Sequence, residues 1–69
     1  MVEVFKTNVE QQQDAAMLLS VLSQGFPLHK INFDLDDCDN ILRVEGANIM
    51  PDRIIGVLIS NGYQCSILE

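Results

Sequence analysis

Apolar and polar residues recur along this chain with two different periods, and the changes of period divide it into strands and helices. Val2–Thr7 is rich in β-branched and aromatic residues and reads as a strand, with Val2 and Val4 on one face and Glu3 and Phe5 on the other. The period changes at Asn8. Asn8 with Gln11 has the form of a capping box, and Thr7 with Glu10 offers the same arrangement one residue earlier. From Val9 to about Gln24 a helix is expected, because Ala15, Leu18, Leu19 and Leu22 fall on one stripe flanked by Met17 and Val21. Gly25 is expected to close it in a left-handed conformation, and Pro27 prevents it from resuming.

Leu28–Asp36 returns to period two, with Ile31, Phe33 and Leu35 alternating with Lys30, Asn32 and Asp34. The stretch from Asp36 to Asn40, Asp37 included, is turn-like. Ile41–Glu45 forms the second arm of a hairpin, with Leu42 and Val44 inward and Arg43 outward. Gly46-Ala47-Asn48 leads to a second helix that Pro51 can open, with Asp52 complementing the dipole in its first turn. Ile54, Ile55, Leu58 and Ile59 are its expected core residues. Asn61-Gly62 stops it, and Tyr63–Leu68 supplies a last strand.

The order is β-α-β-β-α-β over residues 1–69, one domain's worth of chain. Half-buried strands need a covered face, and two amphipathic helices supply it. The expected fold is α+β: a ferredoxin-like βαββαβ two-layer sandwich with an antiparallel sheet in the order 4-1-3-2. In that topology the β1–α1, β2–β3 and α2–β4 loops gather at one end.

Composition narrows the function classes. Hydrophobic residues make up 48% of 69, without tryptophan and with four aromatics, so the core is aliphatic and disorder is not expected. Ten acidic residues against four basic ones give a net charge of −6, which disfavours nucleic acid and anionic membranes. Two widely spaced cysteines make no disulfide scaffold. With neither a signal-like N-terminus nor an apolar run of spanning length, the expected setting is the cytoplasm.

Phe5-Lys6-Thr7-Asn8 before a helix, Ile31-Asn32-Phe33-Asp34-Leu35 with Leu42-Arg43-Val44-Glu45, and the closing Asn61-Gly62-Tyr63 together resemble a heavy-metal-associated domain. This is the family of small copper chaperones and of the N-terminal modules of metal-transporting ATPases. The resemblance runs nearly end to end. It implies a metal loop between β1 and α1, in which a CxxC pair holds a soft ion such as Cu(I). Here the pair falls on Glu10 and Gln13 or on Gln11 and Asp14, and neither contains a sulfur. Oxygen and amide donors are hard ligands, so the family's transfer chemistry is not expected. Tyr63 matches the position where the family places an aromatic beside the loop.

Other constellations add little. Asp34, Asp36, Cys38, Asp39 and Glu45 have the outline of a calcium loop, but Cys38 and Asp39 stand where that loop needs an oxygen donor and a glycine. Cys38, on the exposed turn, is the alternative metal ligand or reactive thiol. Cys65 is expected to be a core residue on the far edge of the sheet, two strands away. His29 is a lone histidine sharing the parity of Ile31 and Phe33. No phosphate-cradling loop with an arginine is present, and no enzyme activity or cofactor is expected. The uncovered sheet face is expected to carry Phe5, Lys30, Asn32, Ile41 and Arg43, with Tyr63 at the loop end. That surface suits a protein partner or self-association. The expected function is a small interaction or regulatory module, the alternative being a metal-handling protein with unconventional ligands.

Overall fold

A computed structural model describes residues 1–36 and 38–69 of the chain. Asp37, in the expected turn, lies outside the described residues. The elements are β1 (Val2–Thr7), α1 (Gln12–Gly25), β2 (Lys30–Asp34), β3 (Ile41–Glu45), α2 (Pro51–Ser60) and β4 (Cys65–Ile67). The fold is α+β, with one four-stranded sheet in the order β2-β3-β1-β4; counted from the other edge this is 4-1-3-2. Every neighbouring pair is antiparallel. β1 and β2 therefore run the same way, joined through α1 across the intervening β3, and β3 reaches β4 through α2 across β1.

One face of the sheet holds the core. Phe5 stands opposite Leu42 on one side and Ile67 on the other, so the three share a face. Phe5, Leu42 and Val44 pack with Val9, with Ala15, Leu18 and Leu22 of α1, and with Ile54 and Leu58 of α2. Both helices thus lie on the same side of the sheet. The opposite face carries Val2, Val4 and Lys6 of β1, Lys30, Asn32 and Asp34 of β2, and Ile41, Arg43 and Glu45 of β3.

Phe5 is the main correction to the expected surface. It has 0% exposure and sits at the centre of the core, so it is no part of the uncovered face. β1 is apolar on both faces, so alternation alone allows either assignment. Pairing with Leu42 selects the face that holds Phe5 and Thr7, which leaves Val4 and Lys6 on the open one.

The helix ends differ from expectation in instructive ways. α1 starts at Gln12, three residues late, with Gln11 in the N-cap position and no side-chain cap. Asn8 is not the cap because its side chain is engaged elsewhere, and Val9 is drawn into the core from the extended segment before the helix. Gly25 is the last residue of α1 and has no positive φ; Phe26 caps the end by donating its N–H to the Leu22 carbonyl. α2 opens on Pro51 as expected. It closes with Gly62 at φ 91°, the Gly62 N–H on the Ile59 carbonyl and the Tyr63 N–H on the Leu58 carbonyl. This paired bonding is a Schellman motif, and the positive φ is the reason a glycine stands there. Ile59 is 59% exposed rather than in the core, since it lies about 140° around the helix from Ile54 at roughly 100° per residue. Val57 packs on the flank instead. β2 and β4 are shorter than their patterns suggest, because Leu28, His29 and Leu35, like Tyr63, Gln64 and Leu68, fall outside the ladders.

Phe5→Ala should cost about 3–5 kcal/mol of stability, the range for emptying an aromatic site in a packed core. Ile59→Ala should change stability by no more than about 0.5 kcal/mol. Urea unfolding of the two variants, compared at equal slope, measures both.

Candidate functional site

The loops expected to meet at one end of the sheet do meet, and Thr7 joins two of them. At the end of β1 it is the buried polar side chain among the described residues, with 7% exposure. Its hydroxyl donates to the Asn40 carbonyl at 2.6 Å and accepts the Val9 N–H at 3.2 Å. The Thr7 N–H also donates to the Asp39 carbonyl at 3.2 Å. A buried hydroxyl must find partners, and here they tie the β2–β3 turn to the segment that enters α1. The α2–β4 loop joins through Asn8, whose side-chain carbonyl accepts the Gln64 N–H at 2.8 Å. Asn40 takes φ 49°, a left-handed conformation that asparagine tolerates better than most residues.

At this end the residues between β1 and the first turn of α1 separate by environment. Glu10, Gln11 and Gln13 are exposed, and Asp14, in the first turn of α1, is half-buried. Tyr63, positioned by the Schellman turn, lies beside Asp14. Its phenol is pushed above the ordinary pKa of 10.0, first by desolvation and then by the Asp14 carboxylate, which repels a phenolate and accepts the phenol's hydrogen bond. The pair offers one carboxylate and one hydroxyl, suited to hydrogen bonding.

The cysteines lie apart from that pair. Cys38 is exposed in the β2–β3 turn, Cys65 is half-buried on β4, and both are free thiols. Burial raises the Cys65 pKa from 9.0 to about 11. Fewer strands separate the two than expected. Asp39, next to Cys38, bonds to Thr7, and Thr7 pairs with Cys65 on its other side, so β1 alone intervenes. Lys6, Thr7, Gln64, Cys65 and Ser66 line an open depression of about 260 Å³ there. Among the described residues, no group of three or more His, Cys, Asp and Glu side chains is placed to hold a metal ion.

His29 sits just before β2, away from these loops. Its ring meets Phe26 edge-on at 5.9 Å, and Gly46 approaches it so closely that a Cβ there would lie 3.3 Å from the imidazole. Its Nδ1 is buried without a hydrogen-bond partner.

Of the expected interaction surface, Lys30, Asn32, Ile41 and Arg43 do share the open face. Asn32 stands directly opposite Arg43, with Lys30 opposite Glu45. Val4 and Lys6 complete the patch in place of Phe5. Arg43 pairs with Glu45 at 3.2 Å, with half of its side chain in water, an arrangement worth roughly 0–1 kcal/mol. Tyr63 does not join this face; it belongs to the loop end with Asp14. Thr7 was expected only as an alternative cap with Glu10; its burial and its bond to the β2–β3 turn were not, although its parity with Phe5 at the end of a strand is a readable sign of a buried hydroxyl.

No family model, curated protein or solved structure matches this chain. Among the described residues, no helix is long and apolar enough to cross a membrane.

Thr7→Val keeps the shape of the side chain but leaves the Asn40 carbonyl and the Val9 N–H without their partner. The expected loss is about 1–3 kcal/mol, with faster amide exchange at Val9 than at the centre of β1. The thiols should also differ. At neutral pH iodoacetamide should modify Cys38 first, and Cys65 should gain reactivity only as the pH climbs toward 11. Because the folded pKa of Cys65 is the raised one, its contribution to stability is complete below pH 9 and is lost as the pH rises through about 11. Peptide mapping and unfolding curves across that range check the pair of expectations.

Proposed function

We propose that this chain is a ferredoxin-like domain of the heavy-metal-associated type that has no thiol pair in its loop and acts as a non-enzymatic protein-interaction module. The carrying observation is the composition of the loop end. α1 opens on Gln11-Gln12-Gln13-Asp14 with Tyr63 against Asp14, while the two thiols stand on the β2–β3 turn and on β4. A soft ion is offered no paired sulfur there. The antiparallel sheet with split β-α-β crossovers and both helices on one face supports the fold assignment.

The partner is a protein, a second copy of the chain included. Three of the four basic residues, Lys6, Lys30 and Arg43, stand on the open face of a chain whose net charge is −6. Together with Val4, Ile41 and Asn32 they make a mixed apolar and cationic surface of the kind proteins bind. The same net charge opposes nucleic acid and anionic lipid. Free thiols suit a reducing compartment such as the cytoplasm.

Titration of the reduced protein with Cu(I) and Zn(II), followed by native mass spectrometry, tests the reading. No stoichiometric complex is expected. A one-to-one complex that disappears in Cys38→Ser would falsify it and favour metal handling through Cys38 and the carboxylates of its turn.

A further inference from the structure

Each edge of the sheet leaves a row of main-chain groups unpaired, and register identifies those of β2. The Gly46 N–H donates to the Met1 carbonyl, so odd-numbered residues of β1 bond even-numbered residues of β3. Ile41, Arg43 and Glu45 therefore turn their main-chain groups toward β2, where they meet Asp34, Asn32 and Lys30. The N–H and C=O groups of Ile31 and Phe33 are left pointing out from the edge. The side chains of these two residues are half-buried on the helix-covered side, while those of Lys30, Asn32 and Asp34 are exposed on the open one. Edge strands are usually guarded by charge. β2 carries one charge of each sign, placed symmetrically about Asn32. Among the described residues the ion pair within the chain is Arg43 with Glu45, which leaves Lys30 free to form one.

We propose that the β2 edge pairs with the β2 edge of a second copy of this chain, antiparallel about a two-fold axis at Asn32. Ile31 then faces Phe33 of the second copy on both sides of the axis, and each pair exchanges both of its amide bonds. Lys30 falls opposite Asp34 of the second copy, again on both sides. These are non-hydrogen-bonded positions, where facing side chains stand closest. Parallel pairing would set Lys30 against Lys30, and a shift of register would forfeit both charge pairs, so the charges select one arrangement as well as stabilise it. The half-buried Ile31 and Phe33 of the two copies come together beside the axis and cover each other. A self-complementary patch is what a two-fold dimer requires, and the outcome is one continuous sheet across both copies. This inference rests on the reading above that the sheet serves protein contact, and it names the partner and the register.

Sedimentation velocity of the whole chain, at about 0.15 M salt and concentrations up to about 1 mM, tests the pairing. A concentration-dependent monomer–dimer equilibrium is expected. Asp34→Lys and Lys30→Asp should each raise the dissociation constant by roughly tenfold or more, since each sets like charges face to face twice. The double exchange K30D/D34K should bring it back to within about threefold of the original, because opposite charges meet again. Amide spectra of the three variants verify that they are folded, as expected for exposed positions. A chain that stays monomeric throughout overturns the proposal, and so does a dimer indifferent to the single reversals or unrepaired by the exchange. A dimer weakened by Arg43→Asp but not by Asp34→Lys overturns the edge pairing while the interaction reading stands. Stoichiometric Cu(I) binding with the charge effects intact overturns that reading and leaves the edge pairing in place.

Discussion

The loop end of this domain depends on how one hydroxyl is satisfied. Thr7 lies where β1 leaves the sheet, with its side chain turned toward the core and away from water. Left alone there, the hydroxyl would carry a desolvation penalty comparable to a lost hydrogen bond. By donating to Asn40 and accepting from Val9 it fixes the exit direction of the chain on one side and the turn of the hairpin on the other. Val9 can then sit in the core while the residues that follow it stay outside. From that fixed exit the chain runs extended through Asn8, whose own bond to Gln64 takes it out of the cap position, and α1 begins only at Gln12.

A second constraint is the division of labour between the faces of the sheet. With one face closed by α1 and α2, nine hydrophobic side chains among the described residues reach burial on that side. Among the described residues no helix covers the other face, which holds three of the four cations. A domain built this way separates the residues that hold it together from those available for contact. Phe5 and Lys6 are neighbours in sequence and belong to different sides of that division.

The elements legible in the chain are those whose signals are local. Pro51 marks the start of α2 because its ring fits only that position, and Asn61-Gly62 marks its end because a glycine can take the positive φ of the closing turn. Ile41–Glu45 is a strand by clean alternation, and the structure keeps its bounds. The start of α1 was hidden because its decisive contact is remote: Asn8 bonds to Gln64, 56 residues away, so a good local cap is diverted to a tertiary partner. The facing of Phe5 was ambiguous for a related reason, since Val2, Val4, Phe5 and Thr7 are all compatible with burial and only register against β3 separates them. At the site, the meeting of the β1–α1, β2–β3 and α2–β4 loops was readable from the order of the elements, and Glu10 to Asp14 and Tyr63 lie at that end. The depression beside Lys6 and Cys65 requires the β1–β4 ladder and has no signature in the chain.

β4 has a property that its place in the sheet imposes. It is three residues long, lies at an edge and is held laterally by β1 alone, with α2 resting above it. Opening free energies across a native structure scale with such anchorage, so this strand belongs to the part of the molecule that opens most readily. Its opening removes the one burden on Cys65, the desolvation that keeps the thiol protonated. The sulfur is therefore least reactive in the closed domain and regains an ordinary acidity in each transient opening. Firmer anchorage of the β4 edge and a more weakly acidic Cys65 are thus two expressions of the same burial.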